Sequence, residues 1–323
     1  MARIGKNPAR NIKEVPKPQR VTVAIINYIP YLEGYFKDSL KIFSIMIDSL
    51  NKNTEIEYDL LIFDNGSCKN VVDYLVEMRQ KGIIQYLILS DKNIGKVAAW
   101  NYIFGSAPGE FIAYSDADIY FHKGWLSKSL EIFEKFPNVG TVTACPFRKN
   151  PQFFSSTISL AKRNKLHIEE EKFIPDEWAI KHWMNSGSDI ERFKKTDLLL
   201  DDIRIKSNDT YAYACSCHFQ FIVRTEVARS IIPLKVLTLV AHNEELFDEA
   251  INEKYMRLAT LERLTEHIGN SLSGEWGKYA GDDNNLIYNK NKSSHNYSIF
   301  QNKLVKSTLI RLYNKIFKLY YLD

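Results

Sequence analysis

Two aspartates, Asp116 and Asp118, stand directly after the apolar run Glu110-Phe-Ile-Ala-Tyr114. Carboxylates at i and i+2 where a strand ends can divide two tasks. One grips a sugar hydroxyl, and the other holds a divalent cation that neutralises a diphosphate. A D-x-D pair is common in solvated turns, so its weight comes from its surroundings. Asp64 stands in a comparable place, after Asp59-Leu-Leu-Ile-Phe63. Further on lie Glu244, Glu245 and Asp248, then Glu266-His267-Ile-Gly-Asn270 with an imidazole. Lys96 follows Gly95 and could meet a phosphate. The pairs Asp201-Asp202 and Asp282-Asp283 read as solvated turns.

Several other chemistries are missing their parts. No G-x-G-x-x-G follows the first apolar run at 21–26, which argues against a dinucleotide oxidoreductase. Gly95-Lys96 resembles the end of a P-loop. However, Ser90 occupies the place of its first glycine and Val97 that of its Ser/Thr metal ligand. The glycine-rich loop of a sugar nucleotidyltransferase is absent too. Cys68, Cys145, Cys215 and Cys217 are too few for a disulfide framework. Cys215 and Cys217 read as half-buried strand, because no second pair completes a zinc site. The N-terminal 20 residues are basic without an apolar h-region, so they do not read as a secretory signal. No apolar run reaches the length of a membrane span. A cytoplasmic location follows as the expectation, with peripheral contact at the inner face of the membrane open.

The elements that must position these groups are legible from periodicity. Val21–Ile26 is a short β-branched run, as in a strand buried on both faces. Phe36, Leu40, Phe43, Ile47 and Leu50 then repeat at helical spacing. Strands are expected at 59–63, 83–89, 110–114 and 139–144, with helices at 72–78, 96–104 and 125–136 between them. This alternation predicts βαβ units and a mostly parallel sheet, whose ligands bind at the carboxyl ends of the strands. Asn27-Tyr28, Asp64 and Asp116/Asp118 all fall at those ends. Residues 150–210 read as polar and loop-like, with Trp178 and Trp183. Residues 211–223 read as strand, and 244–266 as helix with an extended piece near 258–261.

Four stretches resemble the inverting family-2 glycosyltransferases of the GT-A fold: Val21-Thr-Val-Ala-Ile-Ile-Asn-Tyr28, Leu61-Ile-Phe-Asp-Asn-Gly-Ser67, Asn93-Ile-Gly-Lys-Val-Ala-Ala-Trp-Asn101 and Gly109-Glu-Phe-Ile-Ala-Tyr-Ser-Asp-Ala-Asp118. The resemblance covers about 21–145. It implies an α/β fold with a nucleotide-binding sheet and a smaller acceptor-binding part. It also implies sugar transfer from a nucleotide sugar, most often UDP-linked, to a hydroxyl of a glycan or glycoconjugate, with Mn²⁺ or Mg²⁺ as cofactor. On this resemblance Tyr28 stacks on the base, Asp64 binds the base, Asp116 the ribose, and Lys96 the diphosphate. Asp118 and His267 hold the metal. The family's catalytic base maps to Asn243-Glu244-Glu245, with Glu245 first and Glu244 and Asp248 as alternates. Ala99-Trp100-Asn101 stands where the family often has Ala-Arg-Asn. The alternative is a non-catalytic nucleotide-sugar-binding module of a polysaccharide assembly complex.

The expected organisation is a basic extension at 1–20, a nucleotide-sugar half at 21–149, an acceptor-binding and catalytic half at 150–289, and a basic amphipathic helix at 290–323. Charge sharpens this division. The whole chain carries +4, but residues 1–20 carry +5 and 290–323 carry +6, leaving −7 for the body. An acidic body argues against nucleic acid and suits carboxylates awaiting a cation. The apolar stripe of 304–322, interleaved with lysines, marks a contact with a membrane surface or with a second subunit. Trp178, Trp183 and Trp276 are either core residues or platforms for acceptor sugars.

Overall fold

The computed structural model describes residues 7–11, 14–185, 189–236 and 244–279. The expected C-terminal helix at 290–323, with its stripe at 304–322, lies outside the described residues.

The first half alternates as its periodicity predicts. The elements are β1 (Val21–Asn27), α1 (Ser39–Asn53), β2 (Tyr58–Asn65), α2 (Lys69–Gln80), β3 (Tyr86–Ser90), α3 (Lys96–Ser106), β4 (Phe111–Asp116), β5 (Ile119–Phe121), α4 (Trp125–Lys135) and β6 (Val139–Thr143). The second half is more structured than its polar sequence suggests. It contains α5 (Ser155–Arg163), β7 (His167–Glu171), α6 (Asp176–Asn185), α7 (Ile190–Lys195), β8 (Asp202–Ser207), β9 (Thr210–Ala214), β10 (Gln220–Arg224), α8 (Thr225–Ile231), α9 (Glu244–Asn252), β11 (Met256–Ala259) and β12 (Thr265–His267).

One sheet runs in the order β3-β2-β1-β4-β10-β6-β11-β9-β8-β7. Its first four strands are parallel, and β10 enters antiparallel between β4 and β6. The second half therefore completes the sheet begun by the first, and the chain up to Gly281 forms one compact unit. Register aligns the strand ends that matter: Asn27 pairs with Asp64, and Ile26 with Asp116. Helices cover both faces. Val21, Val23 and Ile25 of β1 pack with α1, α2 and α4, whereas Ala24 faces the cluster of α3, α8 and α9. A separate two-stranded ladder joins β5 to β12, pairing Ile119 with His267 and Phe121 with Thr265.

Candidate active site

The turns after β2 and β3 are built as one piece. Asp64 is fully buried, and its carboxylate accepts from Asn27 Nδ2 (2.9 Å) and from the Ser67 amide (3.0 Å), closing the turn that starts α2. Gly66 has φ +89, and a Cβ there would lie 2.7 Å from the Lys92 carbonyl carbon, so only glycine lets the two turns touch. Asn65 then bonds Asn93 (3.0 Å) and the Ile94 amide (2.9 Å), while Asn93 accepts from the Gly95 amide (2.8 Å). This lattice fixes the start of α3, and with it Lys96. Asn65 and Asn93 were not singled out by sequence reasoning. Their signal was present, since Asn65 directly precedes Gly66 and Asn93 stands two residues before Gly95, each in a turn that follows a strand.

Lys96 lies between two carboxylates. Its Nζ is 2.9 Å from Asp116 Oδ2 and 3.2 Å from Glu244 Oε1, and it stands over the rings of Trp100 and Tyr114. Burial disfavours its charge, but Asp116 and Glu244 outweigh burial and raise its pKa. The Tyr114 hydroxyl donates to the other Asp116 oxygen. Burial and the neighbouring Asp118 push the Asp116 carboxyl above its ordinary value, against the pull of Lys96. Asp116 is thus held at both oxygens, which fixes its orientation. Trp100, where an arginine was expected from the resemblance, is fully buried against Tyr114, Phe221 and Phe247. It supplies packing under the site instead of a second cation.

Among the three carboxylates placed near the base position, Glu244 reaches this cluster and Glu245 does not. Phe247 and Ile251 form the buried face of α9, and Glu244 and Asp248 share it at helical spacing. Glu245 falls on the opposite, exposed face and makes no hydrogen bond or ion pair among the described residues. Asp248 is engaged elsewhere. It lies 2.5 Å from Arg257 Nη1 and 3.0 Å from His218 Nε2, although the latter contact has no hydrogen-bond alignment. Burial raises its pKa, but His218 and Arg257 outweigh burial and the carboxyl ends below its ordinary value. Asp248 anchors α9 to β11 through Arg257.

The β5–β12 ladder brings His267 to Asp118. The Ile268 amide donates to the Asp118 carbonyl (2.8 Å), and Asn185 at the end of α6 donates to the His267 carbonyl (2.9 Å). His267 Nδ1 is 3.5 Å from Asp118 Oδ2. That nitrogen is buried, and among the described residues this long approach to Asp118 is its only polar contact. Burial raises the Asp118 pKa, but His267 and then Lys96 outweigh it, and the carboxylate stays ionised below its ordinary range. A buried imidazole nitrogen without an aligned hydrogen bond, facing an ionised carboxylate, is the donor pair a divalent cation would join. Among the described residues no third His, Cys, Asp or Glu completes the set. Water and substrate phosphate oxygens would take the remaining positions, as they do at many Mg²⁺-type sites.

Tyr28 follows β1 and is 37% exposed, its ring edge-on to Phe36. Its open ring lies just past the Asn27–Asp64 strand ends. Cys145, Cys215 and Cys217 are buried, and burial pushes the Cys145 and Cys215 thiols up to about 12. Cys215 and Cys217, expected in a half-buried strand, are buried in the connection between β9 and β10.

Residues 37–196 match the family model described as Glycosyl transferase family 2. An uncharacterized glycosyltransferase of Nostoc sp. is 26% identical over 122 residues, 38% of this chain and 34% of that protein. Chondroitin synthase of Pasteurella multocida is 24% identical over 161 residues, 46% of this chain and 16% of that protein. The amylovoran biosynthesis glycosyltransferase AmsB of Erwinia amylovora is 26% identical over 96 residues, 29% of this chain and 32% of that protein. The chain spans about a third or less of the length of these curated relatives. Among solved structures, S. aureus TarS 1–349 has a TM-score of 0.46 at 13% identity, covering 77% of this chain and 60% of that one. Among the described residues no helix is long and apolar enough to cross a membrane. Through residues 37–196 the chain belongs to glycosyl transferase family 2.

Proposed function

We propose that the chain transfers a sugar from a nucleotide sugar, UDP-linked by preference, to a hydroxyl of a glycan or glycoconjugate, with inversion and with a divalent metal. The observation that carries this is the buried His267 Nδ1, without an aligned hydrogen bond among the described residues and 3.5 Å from Asp118, next to the Asp116–Lys96–Glu244 cluster. A divalent cation held by Asp118 and His267 would supply charge neutralisation of the diphosphate as it departs.

The protein's own groups divide the remaining work. Tyr28 offers its open ring to the base. Asp64, fully buried and engaged by Asn27 and the Ser67 amide, shapes the turn on which the base would rest. Asp116, held by Tyr114 and Lys96, presents a fixed carboxylate to the ribose. Lys96 exchanges its contact with Glu244 for the diphosphate, and this frees Glu244. Inverting transfer is a single in-line displacement at the anomeric carbon, so one carboxylate must take the acceptor proton. The contact of Glu244 with Lys96 supports it in this role over the exposed Glu245. The basic stripe at 304–322 is assigned to an anionic membrane surface on its sequence alone, and liposome co-sedimentation of the full chain against a version ending at Asn289 tests it.

The test of function is a panel of nucleotide sugars with Mn²⁺ and an oligosaccharide acceptor mixture, read by product NMR. A product of inverted anomeric configuration is expected. Donor binding without turnover would favour the non-catalytic module, and a product of retained configuration would remove the single-displacement mechanism.

A further inference from the structure

We propose that a second cleft, between α6 and the β5–β12 ladder, binds a neutral sugar unit of the acceptor. This rests on the glycosyl-transfer reading and extends it to the acceptor side. His122, Glu177, Trp178, Lys181, Arg263 and Glu266 line a space of about 370 Å³. That volume is within the roughly 300–1,000 Å³ of small-molecule sites.

The lining has the chemistry of a polyhydroxyl ligand. Glu266, with its side chain 10% exposed, is held by His122 Nε2 (2.8 Å), Lys181 Nζ (2.8 Å) and Arg263 Nη2 (2.7 Å). Arg263 is equally buried and donates to Glu266 through Nη2, which fixes the carboxylate at the rim of the cleft. Lys181 is shared with Glu275. The half-buried Trp178 supplies a flat apolar ring for the C–H face of a pyranose, and the charged groups offer donors and acceptors for its hydroxyls. Charge decides against an anion. Lys181 and Arg263 are matched by Glu177 and Glu266, so the cleft has no excess of positive charge to hold a phosphate or uronate.

Position ties the cleft to the transfer site. Successive β12 residues face opposite ways, so Glu266 meets the cleft while its neighbour His267 meets Asp118. Along α6, Trp178 and Lys181 line the cleft, and Asn185 binds the His267 carbonyl. Trp178 to Asn185 is seven residues, about 10 Å of helix. A short oligosaccharide bridges that span. Trp276 is buried with Ile42 and Ile45, and the half-buried Trp183 is stacked on Phe193; Trp178, half-buried at the edge of the main core, is the tryptophan that lines the cleft.

The test is saturation-transfer NMR of the full chain with lactose, maltose, cellobiose and chitobiose, against glucuronate and glucose 1-phosphate as anionic probes. At least one neutral disaccharide should bind. Its signal should fall at least fivefold in Trp178→Ala and in Lys181→Ala, and less in Trp178→Phe, with circular dichroism unchanged in the two milder variants. Mn²⁺-dependent hydrolysis of the UDP-sugar should stay at the wild-type rate in all three. Absence of neutral-sugar binding, equal binding in the Lys181→Ala and Trp178→Phe variants, or binding of the anionic probes alone would overturn the proposal. Disaccharide binding without donor hydrolysis would instead leave the cleft standing and remove the glycosyl-transfer reading.

Discussion

Replacing Asp248 by asparagine separates an anchor from a base. Arg257 is 4% exposed at its side chain, donates to the Phe153 carbonyl (2.6 Å), and has Asp248 as its anionic partner. Among the described residues its Nε is buried without a hydrogen bond. Asp248→Asn keeps the volume and removes the charge, so the guanidinium is left buried and uncompensated. Removing one member of a buried pair costs about 3–5 kcal/mol. For a domain of this size 1 kcal/mol corresponds to roughly 2 °C in Tm, so the midpoint should fall by about 6–10 °C. The pH sign is definite. The folded pKa is below the ordinary one, so the contribution is complete above the ordinary carboxylate pKa and is lost as pH falls through the folded value. The difference between wild type and variant should therefore be full at pH 7 and shrink in acid. Differential scanning calorimetry measures the shift, and kcat measured well below the midpoint should drop by less than about tenfold, because only the seating of α9 changes. An unchanged Tm together with a loss of about a thousandfold in kcat would refute this reasoning and make Asp248 the base.

Glu244→Gln should lower kcat by about 10²–10⁴ with donor binding retained, while Glu245→Gln should be close to wild type. Steady-state kinetics on the two variants checks this, and the reverse ranking would move the base to the exposed face of α9. Glu266 is raised by burial but pulled down to about 2 by His122, Lys181 and Arg263, so its stabilisation is present above about pH 4.5 and is lost as pH falls toward 2. Each pKa unit is about 1.4 kcal/mol, which makes Glu266→Gln a loss of about 3 kcal/mol at pH 6 that vanishes near pH 2 in urea titrations.

The parallel half of the fold was legible because each strand is a β-branched run and each helix a repeating apolar face. Its strand ends then placed Asp64, Asp116 and Asp118 without further information, whereas Lys96, at the start of α3, was named by the resemblance. The start of β3 is three residues later than Ile83 suggests. Gly82 (φ +76) and Ile83 close α2 in a Schellman turn, with the Ile83 amide on the Met78 carbonyl and that of Gly82 on Arg79. Residues 150–210 read as loop because β7 is a charged edge strand, held by Arg204 across from Glu169 rather than by burial. The insertion of β10 beside β4 is a long-range pairing that no local period encodes. His267 was placed by resemblance, and the β12–β5 ladder supplies its physical reason. Glu245 was preferred over Glu244 because a motif match carries no phase. The phase comes from Phe247 and Ile251, whose burial turns Glu244 inward.

The most direct measurement is UDP release from a UDP-sugar as Mn²⁺ is titrated against EDTA, in wild type, Asp118→Ala and His267→Ala. Release should saturate with Mn²⁺ in wild type, need at least tenfold more Mn²⁺ in His267→Ala, and be lost in Asp118→Ala. Equal rates in chelator, or a wild-type Mn²⁺ profile in both variants, would contradict the account.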